Sequence, residues 1–438
     1  MIKIRAVPLL LLLLALLVPS ASTAAAGTAA ACTRSLAPPP AQPDRPYVSL
    51  IGRFHPGPDT QLAMLPQWMS WGASSATVAF NGASSVAVVI NASMALAPTA
   101  DSWLPRLQPY SPQATFQFDP DGVKVGSGSI GRYAPALTWN LTGLTPGRHV
   151  LRIVKLTEAR LGGAWLQSIR LSANGSFQDP PATVGQLSGK RMLFIGDSLT
   201  SGFGNTGGPR CREATENGLL AYGPLAAKEL RADYQVLGWG LGTLGIYRFN
   251  SNKEAKKWTV AEQMLMCPRM RDLFPRADAL NPASRYDTSA FQPQVVVLAA
   301  GINDFSDMEI SYSAAKGVHV VAGRYGRLPS MQQWAAEHEV LVRQVRAAHP
   351  GAAIITLAWP LQVTLSLRTP EQALTYSNYV AYTAAHLQSA GISNTFLLQL
   401  RGEGFNTGRY CKGHPDVATH ELIAAQLASF VRAVVPGF

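Results

Sequence analysis

The chain has 438 residues, 47% of them hydrophobic and only 14% charged, which sets aside a disordered polymer and leaves room for two packed domains. Its formal net charge of +11 comes from Lys and Arg scattered along the sequence, densest in NKEAKKW (252–258) and RMRDLFPR (269–276). Without basic runs interleaved with aromatics, nucleic acid is not an expected partner; weak attraction to acidic polysaccharide, or an incidental basic surface, accounts for the charge.

The N-terminus carries Lys3 and Arg5, an apolar run from Val7 to Val18, and then small residues with Ala-x-Ala-like sites. That pattern predicts a secretory signal peptide over residues 1–24, too short and wrongly flanked for a membrane span. No later stretch approaches 18 apolar residues, so a secreted protein without a stable span is expected. Cys32 lies too far beyond the apolar run for a lipoprotein site. Residues 25–46, ending in the Pro-rich LAPPPAQPDRP, read as a linker.

From residue 47 to about 178 the pattern is short and alternating: ATVAFNG, SVAVVINAS, HVLRIVKL and AWLQSIRLS, punctuated by Gly, Pro and Asn. This predicts an antiparallel β-sandwich domain without helices. Three Asn-x-Ser/Thr sequons, at Asn91, Asn140 and Asn174, mark possible N-glycan positions there in a eukaryotic secretory pathway. SFQDPPATVGQLSGK (176–190) reads as a second linker.

The grammar then changes over residues 190–438. RMLFIG (191–196), YQVLGWG (234–240), VVVLAAG (295–301), AAIITLAWP (352–360) and TFLLQL (395–400) are continuous apolar runs. Helical stretches at 217–230, 331–349, 370–391 and from about Val417 separate or follow them. Strands buried on both faces that alternate with helices predict a three-layer α/β domain with a parallel sheet. Its chemistry belongs at the C-terminal strand ends.

Those tails carry candidate groups. The first gives Gly196-Asp197-Ser198, a nucleophile at a helix N-terminus or, alternatively, an N-cap serine after a glycine turn. A phosphate loop would need Gly-Lys-Ser/Thr, which is missing. The second gives the glycine cluster GWGLGTLG, able to offer a backbone N–H to an oxyanion. The third gives Asn303, a side-chain donor to the same charge or an Asx turn. After the last strand comes His414 in Cys411-Lys412-Gly413-His414-Pro415. Of the eight histidines it alone follows the last strand at a turn.

In this order, Gly-Asp-Ser, the glycine cluster, Gly-Ile-Asn-Asp and Gly-His-Pro resemble the SGNH (GDSL) hydrolase superfamily. LTGLTPGRHVLRIVKLTEARLGGAWLQSIRLSANGSF, FIGDSLTSGFGN, EATENGLLAYGPLAAKEL and YDTSAFQPQVVVLAAGINDF resemble carbohydrate esterase family two in particular. That family combines a jelly-roll β-sandwich with an SGNH domain and acts on acetyl-xylan-type esters. The resemblance spans roughly residues 47 to 434, with Lys-Leu-Thr-Glu (155–158) and Thr-Glu-Asn (215–217) adding specificity. It implies Ser198 as nucleophile and His414 as base. It also implies an oxyanion hole of Ser198 N–H, Gly240 (Gly242 second) and Asn303, with Asp197 and Asp304 supporting. No metal or cofactor is implied; the partner is an acetylated carbohydrate, and a monomer is expected.

Two departures stand out. The family usually shows Thr-Asn-Asp where this chain has Ile302-Asn303-Asp304, and Lys412 stands where many relatives place an aspartate before the histidine. The preferred expectation is that a backbone carbonyl orients His414, as in relatives that use a Ser–His dyad. An acid from a distant loop, or an inactive protein, are the alternatives; Asp416 reads as a helix N-terminal residue. Cys32, Cys211, Cys267 and Cys411 permit disulfides, Cys211–Cys267 among them, but spacing does not settle the pairing. Trp165, Trp239 and Trp359 are candidate sugar platforms, with a core position the expected reading for each. Other functional readings are an esterase of lipid or small aromatic esters, disfavoured by the polar insert at 250–292, and a non-catalytic glycan-binding protein.

Overall fold

The computed structural model describes residues 47–56, 64–92, 113–131, 134–208, 213–240, 268–305, 309–313, 317–321, 330–360, 370–406 and 411–438. The expected signal peptide and first linker, Gly242, and Cys32, Cys211 and Cys267 lie outside the described residues, as does part of the polar insert.

The first half forms two antiparallel sheets. One runs Ser49–Ile51, Ser75–Asn81, Arg148–Lys155, Gln113–Pro120, Gly126–Gly131 in spatial order, with Ser176–Gln178 also paired to Ser75–Asn81. The other runs His55–Pro56, Gln67–Met69, Ala164–Leu171, Ser85–Asn91, Ala136–Thr142. Alternation decides which face is buried: in Ser85–Asn91, Val86, Val88 and Ile90 are inside while the residues between them are half-exposed. One apolar cluster draws on both sheets, joining Val78, Phe116 and Ile153 to Val88, Leu166 and Ile169.

The second half is a parallel sheet in the order Asp233–Gly238, Arg191–Gly196, Val295–Ala299, Ala353–Ala358, Thr395–Gln399. Val295–Ala299 and Ala353–Ala358 are buried throughout, which is why the sequence shows continuous apolar runs. Helices Tyr222–Glu229 and Val417–Val434 pack on each other, as do Met331–Ala348 and Pro370–Ser389. The second strand in sequence lies on one side of the first and the third on the other. The chain order therefore reverses between Arg191–Gly196 and Val295–Ala299, the crevice where such sheets bind ligands.

Two stretches differ from expectation. The second linker is partly regular: Ser176–Gln178 extends a sheet and Val184–Ser188 is helical. Thr183 caps that helix in a reciprocal box with Gln186, and the Asp233 carboxylate accepts from the Thr183 hydroxyl and, at 2.8 Å, from Gly185 N–H. An unforeseen hairpin pairs Glu309–Ser313 with Gly317–Val321.

The antiparallel and parallel regions are tied by buried polar anchors. Arg53 is 1% exposed and donates to the carbonyls of Phe274 and Arg276 and, at 3.2 Å, to Gln235 Oε1. Its guanidinium lies 4.2 Å from the Tyr286 ring centre. Burial pulls this guanidinium down to about 9. Trp71 Nε1–H donates to Ala277 O at 3.0 Å, and its indole belongs to the apolar cluster of the parallel sheet. Trp71→Ala is expected to cost about 3–5 kcal/mol by loss of buried volume. Urea unfolding followed by fluorescence and far-UV circular dichroism should show one transition moved to lower denaturant. A first transition that shifts alone while a second stays put would contradict this coupling.

Candidate active site

The nucleophile candidate sits where strand Arg191–Gly196 turns into the short helix Ser198–Ser201. Only glycine fits at 196, because a Cβ there would lie 2.1 Å from Thr200 Oγ1 and 2.9 Å from Ala299 O. Gly202, in the left-handed region at φ +77°, ends the helix after one turn. Ser198 opens this helix, so its N–H is among those a helix leaves without an intrahelical partner. The serine is 8% exposed.

Asp197 caps the helix, its Oδ1 accepting Leu199 N–H at 3.0 Å. It is fully buried, and burial, helped by the charge of nearby Asp304, pushes its carboxyl up to about 7. Asn303 and Asp304 sit on the turn Ile302–Phe305 that follows strand Val295–Ala299, across the crevice from the serine strand. Asp304 is buried and Asn303 half-buried.

His414 arrives from the last strand tail. Its Nε2 is 2.7 Å from Ser198 Oγ, and its Nδ1 is 3.0 Å from Cys411 O. A carbonyl oxygen only accepts, so Nδ1 carries the proton and Nε2 presents its lone pair to the serine hydroxyl. The ring packs against Phe203, centroids 4.9 Å apart. Cys411 takes φ +22° and Gly413 φ +91°, and the His414 backbone N–H also reaches Cys411 O, at 3.1 Å. Cys411 is disulfide-bonded, and the other three cysteines fall outside the described residues. Asp416 is a helix cap: its carboxylate accepts from Thr419 N–H at 2.8 Å and Asn406 Nδ2 at 3.0 Å. His420, buried beside Tyr222, accepts the Tyr222 N–H through Nδ1 at 3.2 Å and is pulled down to about 3 by burial.

Gly240 does not fit the role expected of it. Its N–H is directed to Glu158 Oε2, so this amide is occupied rather than turned to an oxyanion. Trp239 and Trp359, each 2% exposed, are core residues and offer no platform; Trp165 is half-buried, 5.4 Å from the Trp68 ring. The two stretches noted for their specificity meet. Glu158 N–H donates to Glu216 Oε1, and Gly218 N–H to Leu156 O at 2.8 Å. Burial and then the charge of Glu158 hold the Glu216 carboxyl well above its usual range. Glu158 escaped the site reading because it lies in the antiparallel half; the Lys-Leu-Thr-Glu stretch was its only signal.

A buried serine hydroxyl on a lone-pair nitrogen of an oriented imidazole, set at the switch point of a parallel sheet, defines the serine hydrolase class of site. Residues 194–422, just over half of the chain, match the GDSL-like Lipase/Acylhydrolase family, and the chain belongs to it. It is 34% identical over 174 residues to an acetylxylan esterase / glucomannan deacetylase of Cellvibrio japonicus, covering 37% of this chain and 41% of that protein. It is 25% identical over 296 residues to the cellulase/esterase CelE of Acetivibrio thermocellus, covering 67% of this chain and 31% of that protein. The chain thus spans less than half the length of these curated relatives. Its fold is similar to that of an active site mutant of a family two carbohydrate esterase from Clostridium thermocellum, with TM-score 0.67 and 21% identity over 90% of this chain and all of the other.

Asp197 gives a test of the buried floor. Its carboxyl is raised from an unfolded value near 3.8 to about 7. The folded state therefore binds the extra proton between those values, and this group's stabilisation is lost as pH rises through the interval. Asp197→Asn keeps the cap and removes the titration. The stability difference, variant minus wild type, should grow from about pH 4 to about pH 7 and then level off. Denaturation midpoints measured across pH check this; a difference independent of pH would refute it.

Proposed function

We propose that this chain is a secreted carbohydrate O-acetyl esterase working through a serine acyl-enzyme. The observation that carries the proposal is the 2.7 Å contact between Ser198 Oγ and His414 Nε2, with Nδ1–H held by the Cys411 carbonyl. His414 removes the hydroxyl proton as Ser198 Oγ attacks the acetyl carbonyl. The resulting oxyanion is met by Ser198 N–H and the Asn303 side chain. As the tetrahedral species collapses, His414 gives its proton to the sugar oxygen, which leaves as an alcohol. Water, deprotonated by the same nitrogen, then attacks the acetyl carbonyl on Ser198; as this second tetrahedral species collapses, His414 returns the proton to Ser198 Oγ and acetate departs.

The similarity to an acetylxylan esterase / glucomannan deacetylase supports an acetylated polysaccharide or oligosaccharide as substrate. The N-terminal pattern supports secretion, and no helix among the described residues is long and apolar enough to cross a membrane. In this reading residues 190–438 are the catalytic domain and residues 47–178 a jelly-roll-like β-sandwich, and the protein acts as a monomer.

Acetate release from acetylated xylan, acetylated mannan and an aryl acetate tests the reading. Ser198→Ala and His414→Ala should each lower kcat by about 10⁴-fold or more, to a common residual level. No release by the wild type from any of the three substrates would overturn the acetyl esterase assignment.

A further inference from the structure

The proposed mechanism uses only the parallel-sheet half, yet a carboxylate from the antiparallel half reaches its floor. Glu158 follows strand Arg148–Lys155, is 1% exposed, and points across the junction. Its Oε2 accepts the N–H of Gly240, two residues past the end of strand Asp233–Gly238. Its Oε1 accepts from Arg160 Nε at 3.0 Å and Nη2 at 2.9 Å. Its own N–H donates to Glu216 Oε1, and its carbonyl accepts from the buried Lys155 ammonium at 3.1 Å. The side chain is thus held at both ends before it meets Gly240.

The tail it holds adjoins the nucleophile turn. Trp239 N–H donates to Gly196 O at 3.1 Å, one residue before Asp197-Ser198. The fit at Gly240 is close: a Cβ there would lie 2.5 Å from Glu158 Oε1 and 3.2 Å from Arg160 Nε. A charge-assisted bond from a buried, preoriented carboxylate fixes an amide more firmly than a water or a neutral acceptor would.

We infer that Glu158 is a positioning residue for the reaction at Ser198: by fixing Gly240 it sets the strand tail that lies against the serine turn. The antiparallel half is then a working part of the catalytic centre. This rests on the serine hydrolase reading of the site but on no particular ester.

The test uses the full chain with Glu158→Ala, Glu158→Gln, Gly240→Ala and the Glu158→Gln/Gly240→Ala double variant. Two rates are followed: aryl acetate hydrolysis, as kcat and KM, and covalent labelling of Ser198 by a fluorophosphonate. Thermal midpoints give the folded fraction. Glu158→Ala should lower kcat about 100-fold, the scale of a misplaced oxyanion-hole element, with KM changed about 3-fold or less. Labelling should slow in parallel. Glu158→Gln keeps one acceptor oxygen but turns its NH2 towards either Gly240 N–H or the Arg160 guanidinium, so it should weaken the contact in part and give a kcat between those of Glu158→Ala and the wild type. Gly240→Ala and Glu158→Gln should be non-additive, since both disturb one contact.

Wild-type kcat in folded Glu158→Ala, or losses that only track the folded fraction, would overturn the inference. If Glu158→Ala does not fold, additivity in the double variant would overturn it instead. A wild type that takes the label but releases no acetate removes the acetyl reading alone and leaves Glu158 to be judged by the labelling rates. A wild type that takes no label removes both.

Discussion

The hydrogen bond from His414 Nδ1–H to the Cys411 carbonyl is the constraint on which the proposed chemistry depends. In a triad the orienting group is an anion, which fixes the tautomer and also stabilises the imidazolium. A carbonyl performs the first task as well as an anion does, because it can only accept. It performs the second more weakly, with the partial charge of a dipole. The geometry around Cys411 makes the most of that dipole. One oxygen receives both the ring N–H and the backbone N–H of the same histidine, and a disulfide anchors the residue that bears it. The backbone leaves ordinary torsion space on either side of Lys412, at Cys411 and Gly413, to close this turn.

The serine is held by equally local means. A missing Cβ at Gly196 lets the helix turn close, Asp197 caps it from below, and Phe203 braces the imidazole. Asp197 shows how such a floor is built: a carboxylate useful as a cap is placed where water does not reach, so its proton affinity rises. Asp304 adds to this effect from the neighbouring strand tail. Two acids thus lie close together beneath a site that needs a polarised hydroxyl above them.

Much of this was legible in the sequence, for identifiable reasons. Continuous apolar runs report buried strands, so the five parallel strands stood out, and chain order carried Ser198 and Asn303 to adjacent tails and His414 past the last strand, at the edge of the sheet. Lys412 showed only that no acid stands before His414; the carbonyl facing Nδ1 was expected from the resemblance to relatives that use a Ser–His dyad. What failed was what depends on contacts between distant segments. Gly240 was read as a free amide because nothing in GWGLGTLG announces a carboxylate 82 residues earlier. Trp239 and Trp359 did take the commoner place for such rings, the core, although nothing local marks them off from sugar platforms. The stretch 176–190 was read as a linker from its Pro, Ser and Gly, although Thr183 and Gln186 form a capping box whose partner, Asp233, lies 50 residues on.

The junction between the halves is unusual for its charge. Arg53, Lys155, Glu158 and Glu216 are all buried there, each 2% exposed or less. Buried charges seldom add net stability, because the desolvation cost about matches the attraction regained, and apolar residues of the same volume would often hold the halves together as well. Burial already weakens the Lys155 ammonium, drawing it down to about 7, and raises Glu216 in the opposite sense. Such groups earn their place through direction. A leucine at 158 could fill the space but could not choose which amide of the strand tail to hold, whereas a carboxylate fixed by Arg160 can. Apolar packing brings the two halves together; in the proposed role of Glu158, directed bonds from these buried groups set the register in which they meet, through Gly240 and Trp239 to the carbonyl of Gly196, next to the serine turn.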